Sequence, residues 1–123
     1  MRFLTDRKRA EGRGAAHAGT EHHWYMQVSA VGLAFIVPAF IYMFGSLLGS
    51  SYEHVIATLS RPFPAILSGL VLVFGLAHFR KGAQMMIEDY TRKSTRKVLI
   101  MLVITMTYGL TAAGLFALAK IAL

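Results

Sequence analysis

Residues 65–90 read AILSGLVLVFGLAHFRKGAQMMIEDY. The stretch begins as hydrocarbon-facing sequence and ends on a charged shoulder. From Ala65 to Phe79 it carries no Asp, Glu, Lys or Arg, yet the imidazole of His78 lies within it. If Arg80 and Lys81 snorkel or face a polar cavity, the apolar character runs on to Ile87, which completes the ~20 residues a bilayer span needs. Ionisable groups inside a membrane are costly, so His78 is a functional candidate. On a helix, residues eleven apart return almost to one face. His78, Gly82, Met85 and Asp89 therefore share a stripe, with Asp89 about 16 Å along the axis from His78.

Two further stretches match the first in length. Tyr25–Leu48 and Val98–Ala119 contain no Asp, Glu, Lys or Arg. The chain is thus expected to be an all-α membrane protein with three transmembrane helices, approximately 25–48, 65–88 and 98–120. It divides into an N-terminal segment, 1–24, and a three-helix anchor domain, 25–123. Pro62 and Pro64 mark the start of the second helix, because the residue before a proline avoids helical geometry. Pro38 falls inside the first, a position that neighbouring helices tolerate in lipid.

The composition agrees. Of 123 residues, 55% are hydrophobic and 15% charged, with a mean hydropathy of +0.52, too apolar for an ordinary soluble domain. No cysteine is present, which excludes disulfides, thiolate-held clusters and cysteine nucleophiles. The net charge of +7 does not indicate nucleic acid, because the basic residues cluster beside the apolar runs. Arg2, Arg7, Lys8, Arg9 and Arg13 precede the first span. Arg80, Lys81, Arg92, Lys93, Arg96 and Lys97 surround the second connection. The positive-inside rule puts the N-terminus and the 89–97 loop in the cytoplasm, and the 49–64 loop and C-terminus outside. Residues 1–24 lack the apolar core of a signal peptide. Three helices cannot form two equal inverted halves, which argues against a self-contained transporter. Gly69, Gly75, Gly109 and Gly114 allow close approach, so partner helices from another chain are expected.

His78 has two readings. A neutral imidazole is a good axial ligand to haem iron, and Gly75 and Gly82, three and four residues away, leave room for a porphyrin. A histidine satisfied by a neighbouring backbone or hydroxyl fits equally. Because no other histidine lies in a span, a second haem ligand would come from a partner chain. His22 and His23 point apart with no third ligand in register, a poor metal site.

Asp89 and Tyr90 also admit two readings. One is an interfacial helix end, where tyrosine is enriched. The other is a quinone pocket, in which a phenol donates to a quinone carbonyl and a carboxylate relays protons. Lys81 either snorkels or pairs with a haem propionate. Ser29 either lines the cytoplasmic cleft or bonds back to its own helix. Met85 and Met86 read as packing, and Trp24-Tyr25 as an interfacial anchor.

Taken together, these residues resemble a known family, the small hydrophobic membrane-anchor subunit of succinate dehydrogenase, respiratory complex II. The likeness rests on His78 followed by Gly82, Gln84 and Glu88-Asp89-Tyr90. Gly19-Thr20, His23-Trp24 and Ser29-Ala30 support it. The resemblance implies a non-catalytic subunit of a bacterial inner-membrane complex that carries electrons from succinate to ubiquinone. It implies a haem b shared with a second three-helix cytochrome b anchor. FAD and iron–sulfur clusters would reside in a flavoprotein and an iron–sulfur subunit on the cytoplasmic side. It places His78 as an axial haem ligand and Tyr90 with Asp89 at the quinone. Lys81, Gln27 and Ser29 become candidate haem-propionate or quinone-site contacts. Gln27 is a departure, since many members carry arginine there. Glutamine offers hydrogen bonds without charge. The anchor of a quinol:fumarate reductase and a cofactor-free structural three-span protein are the alternatives.

Overall fold

The computed structural model describes residues 5–12 and 19–123. Arg2, Arg13 and His17, with the rest of residues 1–4 and 13–18, lie outside the described residues. Five helices follow in order: α1 (Asp6–Gly12), α2 (Gly19–Gly45), α3 (Tyr52–Leu59), α4 (Pro62–Tyr90) and α5 (Lys93–Ala122). Among the described residues there is no strand. Within α2, α4 and α5, the stretches Thr20–Gly45, Pro62–Tyr90 and Lys93–Ala122 are long and apolar enough to cross a membrane. At ~1.5 Å per residue, each exceeds the ~30 Å of a hydrocarbon core.

Local chemistry sets the boundaries. α2 opens six residues ahead of Tyr25 and takes in His22, His23 and Trp24. Pro62 at the first position of α4 lacks an N–H that would have no helical partner there. Arg61 before it is extended, with ψ of 146°, as a pre-proline residue must be. α3, which the hydropathy pattern did not reveal, is capped by Ser51, whose side chain accepts from the His54 N–H at 3.3 Å. Between α2 and α3 the chain turns at Gly49, whose φ of +79° suits a residue without Cβ.

The turn from α4 to α5 is tighter. Thr91 and Arg92 alone separate the two helices, and Lys93 is driven to a φ of +53°. A left-handed non-glycine residue costs ~1 kcal/mol or more. Arg96 braces the corner. Its guanidinium donates to the Glu88 carbonyl at 2.7 Å and to the Thr91 carbonyl at 2.7 and 2.9 Å. A cation on the last carbonyls of α4 also complements the helix dipole.

α4 is the central element. It packs against α2 on one side and α5 on the other, and α3 touches α4 and α5. Among the described residues the α2 and α5 backbones do not approach each other closely, but Phe40 and Phe44 of α2 line a cavity of about 250 Å³ together with Gly114 and Leu118 of α5. The backbones of the three long helices therefore pack in the order α2, α4, α5, with side chains of all three lining that cavity. Buried residues are few: Leu47, Leu67 and Ile87, with the polar Ser29, Ser68 and Thr107. Two of these hydroxyls return to their own helices. Thr107 Oγ1 donates toward the Val103 and Ile104 carbonyls at 2.8 and 3.0 Å, and Ser29 is described below. Large side chains such as Phe35, Tyr42 and Phe116 remain exposed, as expected of helices whose surroundings are lipid or other helices.

Candidate functional site

α2 and α4 run antiparallel, so the beginning of α2 lies beside the end of α4. Met26 and Ser29 are three apart on α2 and present one face to α4. His78 and Gly82, four apart on α4, answer them. The Met26 Cε is 3.7 Å from where a Cβ on Gly82 would lie. Ser29 Oγ lies 2.7 Å from His78 Nδ1. Two residues 49 apart in sequence are thus joined inside the candidate spans. Ser29 is buried, at 8% exposure, and His78 is half-buried.

The Ser29 hydroxyl has further neighbours. It lies 2.6 Å from the Tyr25 carbonyl oxygen and 3.1 Å from that of Met26. The back-bond to its own helix and the contact with the neighbouring helix therefore coexist. His78 is likewise satisfied at one nitrogen by a hydroxyl, while its Nε2 makes no hydrogen bond among the described residues.

A cleft of about 490 Å³ is lined by Ser29 but not by His78. Trp24, Val28, Ser29 and Gly32 of α2 and Leu70 and Phe74 of α4 are among its walls. Its lining is apolar apart from the indole, hydroxyl and phenol groups at the Trp24–Ser29 end, and its size is typical of a ligand or cofactor site. A Cβ at Gly32 or Gly75 would meet nothing within 4 Å. Gly75 thus leaves open space beside His78, whereas Gly82 is faced by Met26. The donor set suits a haem to this extent: one imidazole with Nδ1 engaged by a hydroxyl, Nε2 without a hydrogen bond among the described residues, and an apolar cleft lined by Ser29, which carries that hydroxyl. Among the described residues, His22 and His23 also fall within a candidate span, Thr20–Gly45, contrary to the sequence expectation that His78 alone does, and the His22 Nε2 is buried without a hydrogen-bond partner.

The other residues singled out in the sequence sit apart from this pair. Lys81 is half-buried and pairs with no carboxylate among the described residues. Gln27 is exposed and lines a shallow open depression with Trp24, Val28, Ala30 and Val31. It is about 200° around α2 from Ser29. Asp89 and Tyr90 end α4, both exposed, Tyr90 at 86%. Twelve residues separate Tyr90 from His78, about 18 Å along the helix. Glu88 points elsewhere and accepts from Gln84 at 2.8 Å.

Arg80 takes a role the sequence reading did not find. Its guanidinium lies over the Tyr108 ring of α5, 4.7 Å from the centroid. A cation–π contact of this kind relieves the cost of a cation in apolar surroundings. The signal was an arginine two residues from His78, hence on the opposite side of α4, facing a helix that carries a mid-span tyrosine.

Two comparisons bear on this arrangement. A family profile described as succinate dehydrogenase/fumarate reductase transmembrane subunit matches residues 1–113. The chain is also 43% identical, over all 123 of its residues and 95% of the relative, to the succinate dehydrogenase hydrophobic membrane anchor subunit of Paracoccus denitrificans. The chain belongs to this family. No solved structure matches it. As a member of the succinate dehydrogenase/fumarate reductase transmembrane family, it is a multi-pass membrane anchor and a subunit of an oxidoreductase.

Proposed function

We propose that this chain anchors a succinate:ubiquinone oxidoreductase, supplying His78 as one axial ligand to a haem b and Tyr90 with Asp89 to a ubiquinone site. The observation that carries the reading is the His78–Ser29 pair: an intramembrane imidazole engaged at Nδ1 by a hydroxyl that itself lines an apolar cleft, with Nε2 making no hydrogen bond among the described residues. Family membership supplies the redox context. The family description names both directions of the reaction; the named relative is a succinate dehydrogenase, which favours quinone reduction.

The haem, when bound, would supply a one-electron centre within the bilayer. His78 would hold the iron from α4. A second three-helix cytochrome b anchor would bring the other ligand and cover the open faces of α2 and α5. Lys81, one turn from His78 and without a carboxylate partner among the described residues, would reach a propionate. At the end of α4 the Tyr90 hydroxyl would donate to a quinone carbonyl. Asp89 would keep a proton source beside it. Gln27 would contribute a neutral hydrogen bond where many relatives use a charge. The basic residues at the α4–α5 corner argue for a cytoplasmic location. There Tyr90 would stand near an iron–sulfur subunit, itself joined to an FAD-bearing flavoprotein. The N-terminal segment would share that side, and the 49–64 loop and C-terminus would face the periplasm of a bacterial inner membrane.

The test is purification of the native complex through this chain. The expected result is a second anchor, an iron–sulfur protein and a flavoprotein in equal amounts. Dithionite reduction should add the Soret and alpha bands of a b-type haem. A colourless complex with all partners present would defeat the haem assignment, and absence of the flavoprotein would defeat the whole reading.

A further inference from the structure

We propose that the Ser29 hydroxyl is a positioning residue that fixes the tautomer of His78, keeping the proton on Nδ1 and the lone pair on Nε2. This rests on His78 being the haem ligand proposed above.

Ser29 Oγ is 2.6 Å from the Tyr25 carbonyl oxygen, 3.1 Å from the Met26 carbonyl oxygen and 2.7 Å from His78 Nδ1. A serine hydroxyl has one proton to give. Two oxygens 2.6 Å apart need a proton between them, since this is a short O–H···O separation and lone pairs would otherwise face each other. The carbonyl has no proton, so the hydroxyl must donate to it. Ser29 then has only lone pairs to offer His78. The 2.7 Å contact is therefore Nδ1–H donating to Oγ. In a neutral imidazole with Nδ1 protonated, Nε2 is the acceptor nitrogen, the form that binds a metal.

Several features hold this state in place. Ser29 is 8% exposed, so bulk water does not readily replace it. A hydroxyl that donates to a carbonyl becomes a better acceptor. Met26 against Gly82, one turn away, keeps α2 and α4 close. The proton count also removes Ser29 from two other roles. With its proton committed to its own helix, it cannot donate to a propionate or to a quinone carbonyl.

An acceptor on Nδ1–H makes the opposite nitrogen more basic. A stronger donor to iron favours the oxidised metal, so Ser29 would lower the haem potential.

The experiment uses the whole complex, purified with its partner subunits, carrying Ser29→Ala, Ser29→Thr or Ser29→Cys. Two readouts are taken besides turnover: the haem midpoint potential by redox titration, and the low-spin ferric g-values by electron paramagnetic resonance. Ser29→Ala should raise the potential and shift the g-values. Ser29→Thr should match the parent, because its hydroxyl can make the same back-bond. Ser29→Cys, a weaker acceptor, should fall between them. Loss of low-spin haem in Ser29→Ala with retention in Ser29→Thr supports the same assignment. Unchanged potential and g-values in Ser29→Ala would overturn it, as would a threonine variant shifted as far as alanine. A parallel His78→Ala complex separates the two proposals. If it keeps the parent low-spin signal, the ligand reading fails. If it loses that signal while Ser29→Ala changes nothing, the tautomer assignment alone fails.

Discussion

At the scale of single residues, the two readings of His78 prove compatible. Its ring has two nitrogens, and a neighbouring hydroxyl engages one of them at 2.7 Å. Satisfying Nδ1 is what an oriented metal ligand requires, so a satisfied histidine and a ligand histidine share this geometry. Both Ser29 and His78 could be singled out from sequence, but their pairing could not. It depends on how α2 and α4 cross, and helices that are apolar around most of their circumference leave that register unmarked in hydropathy. Tyr90 is the opposite case: sequence order alone puts it at the end of its helix, and its role turns on a single oxygen. Tyr90→Phe keeps the ring and removes the hydroxyl. If that hydroxyl binds a quinone carbonyl, its loss removes roughly 1–3 kcal/mol, and succinate-driven quinone reduction should fall about ten-fold or more. Haem content, and succinate oxidation with an acceptor that draws electrons before the quinone, should be unchanged. Full quinone reductase activity in a normally assembled variant would leave Tyr90 as an interfacial anchor only.

At the scale of elements, the three long helices were legible because each spans more than the apolar thickness of a bilayer with few charges. α3 was not. Eight residues are too few for a hydrophobic period to show, and its signature is a cap, Ser51, next to Tyr52-Glu53-His54. As a topology signal, the basic residues near 92–97 count alike. The structure singles out Arg96, whose guanidinium secures the carbonyl end of α4 across a corner with Lys93 at positive φ. The glycines also differ in kind. A Cβ on Gly114 of α5 would run into the Leu72 side chain of α4, whereas one on Gly109 meets nothing within 4 Å. Gly114→Val should therefore destabilise the α4–α5 contact by about 1–3 kcal/mol. Gly109→Ala should be neutral or slightly stabilising. Thermal melting of the purified complex distinguishes them, and equal melting temperatures for the two variants would contradict the packing described.

At the scale of the whole molecule, α2 and α5 flank a central α4 and leave large apolar side chains such as Phe35 and Phe116 uncovered among the described residues. That is the architecture expected of a subunit. The proposed orientation is open to direct test because the chain contains no cysteine. A single Ser50→Cys in the α2–α3 connection should react with a membrane-impermeant maleimide on intact spheroplasts. A single Ser94→Cys should react only after the membrane is opened and the protein unfolded. The reverse pattern would invert the topology and remove Tyr90 from the cytoplasmic side. The central claim is narrower: that His78 holds a haem from within the bilayer. Its most direct test is the electron paramagnetic resonance spectrum of the assembled His78→Ala complex, with subunit content confirmed on the same sample. If His78 is a ligand, the parent six-coordinate low-spin signal is lost and replaced by a high-spin or differently ligated one. A parent low-spin spectrum in that variant would contradict it.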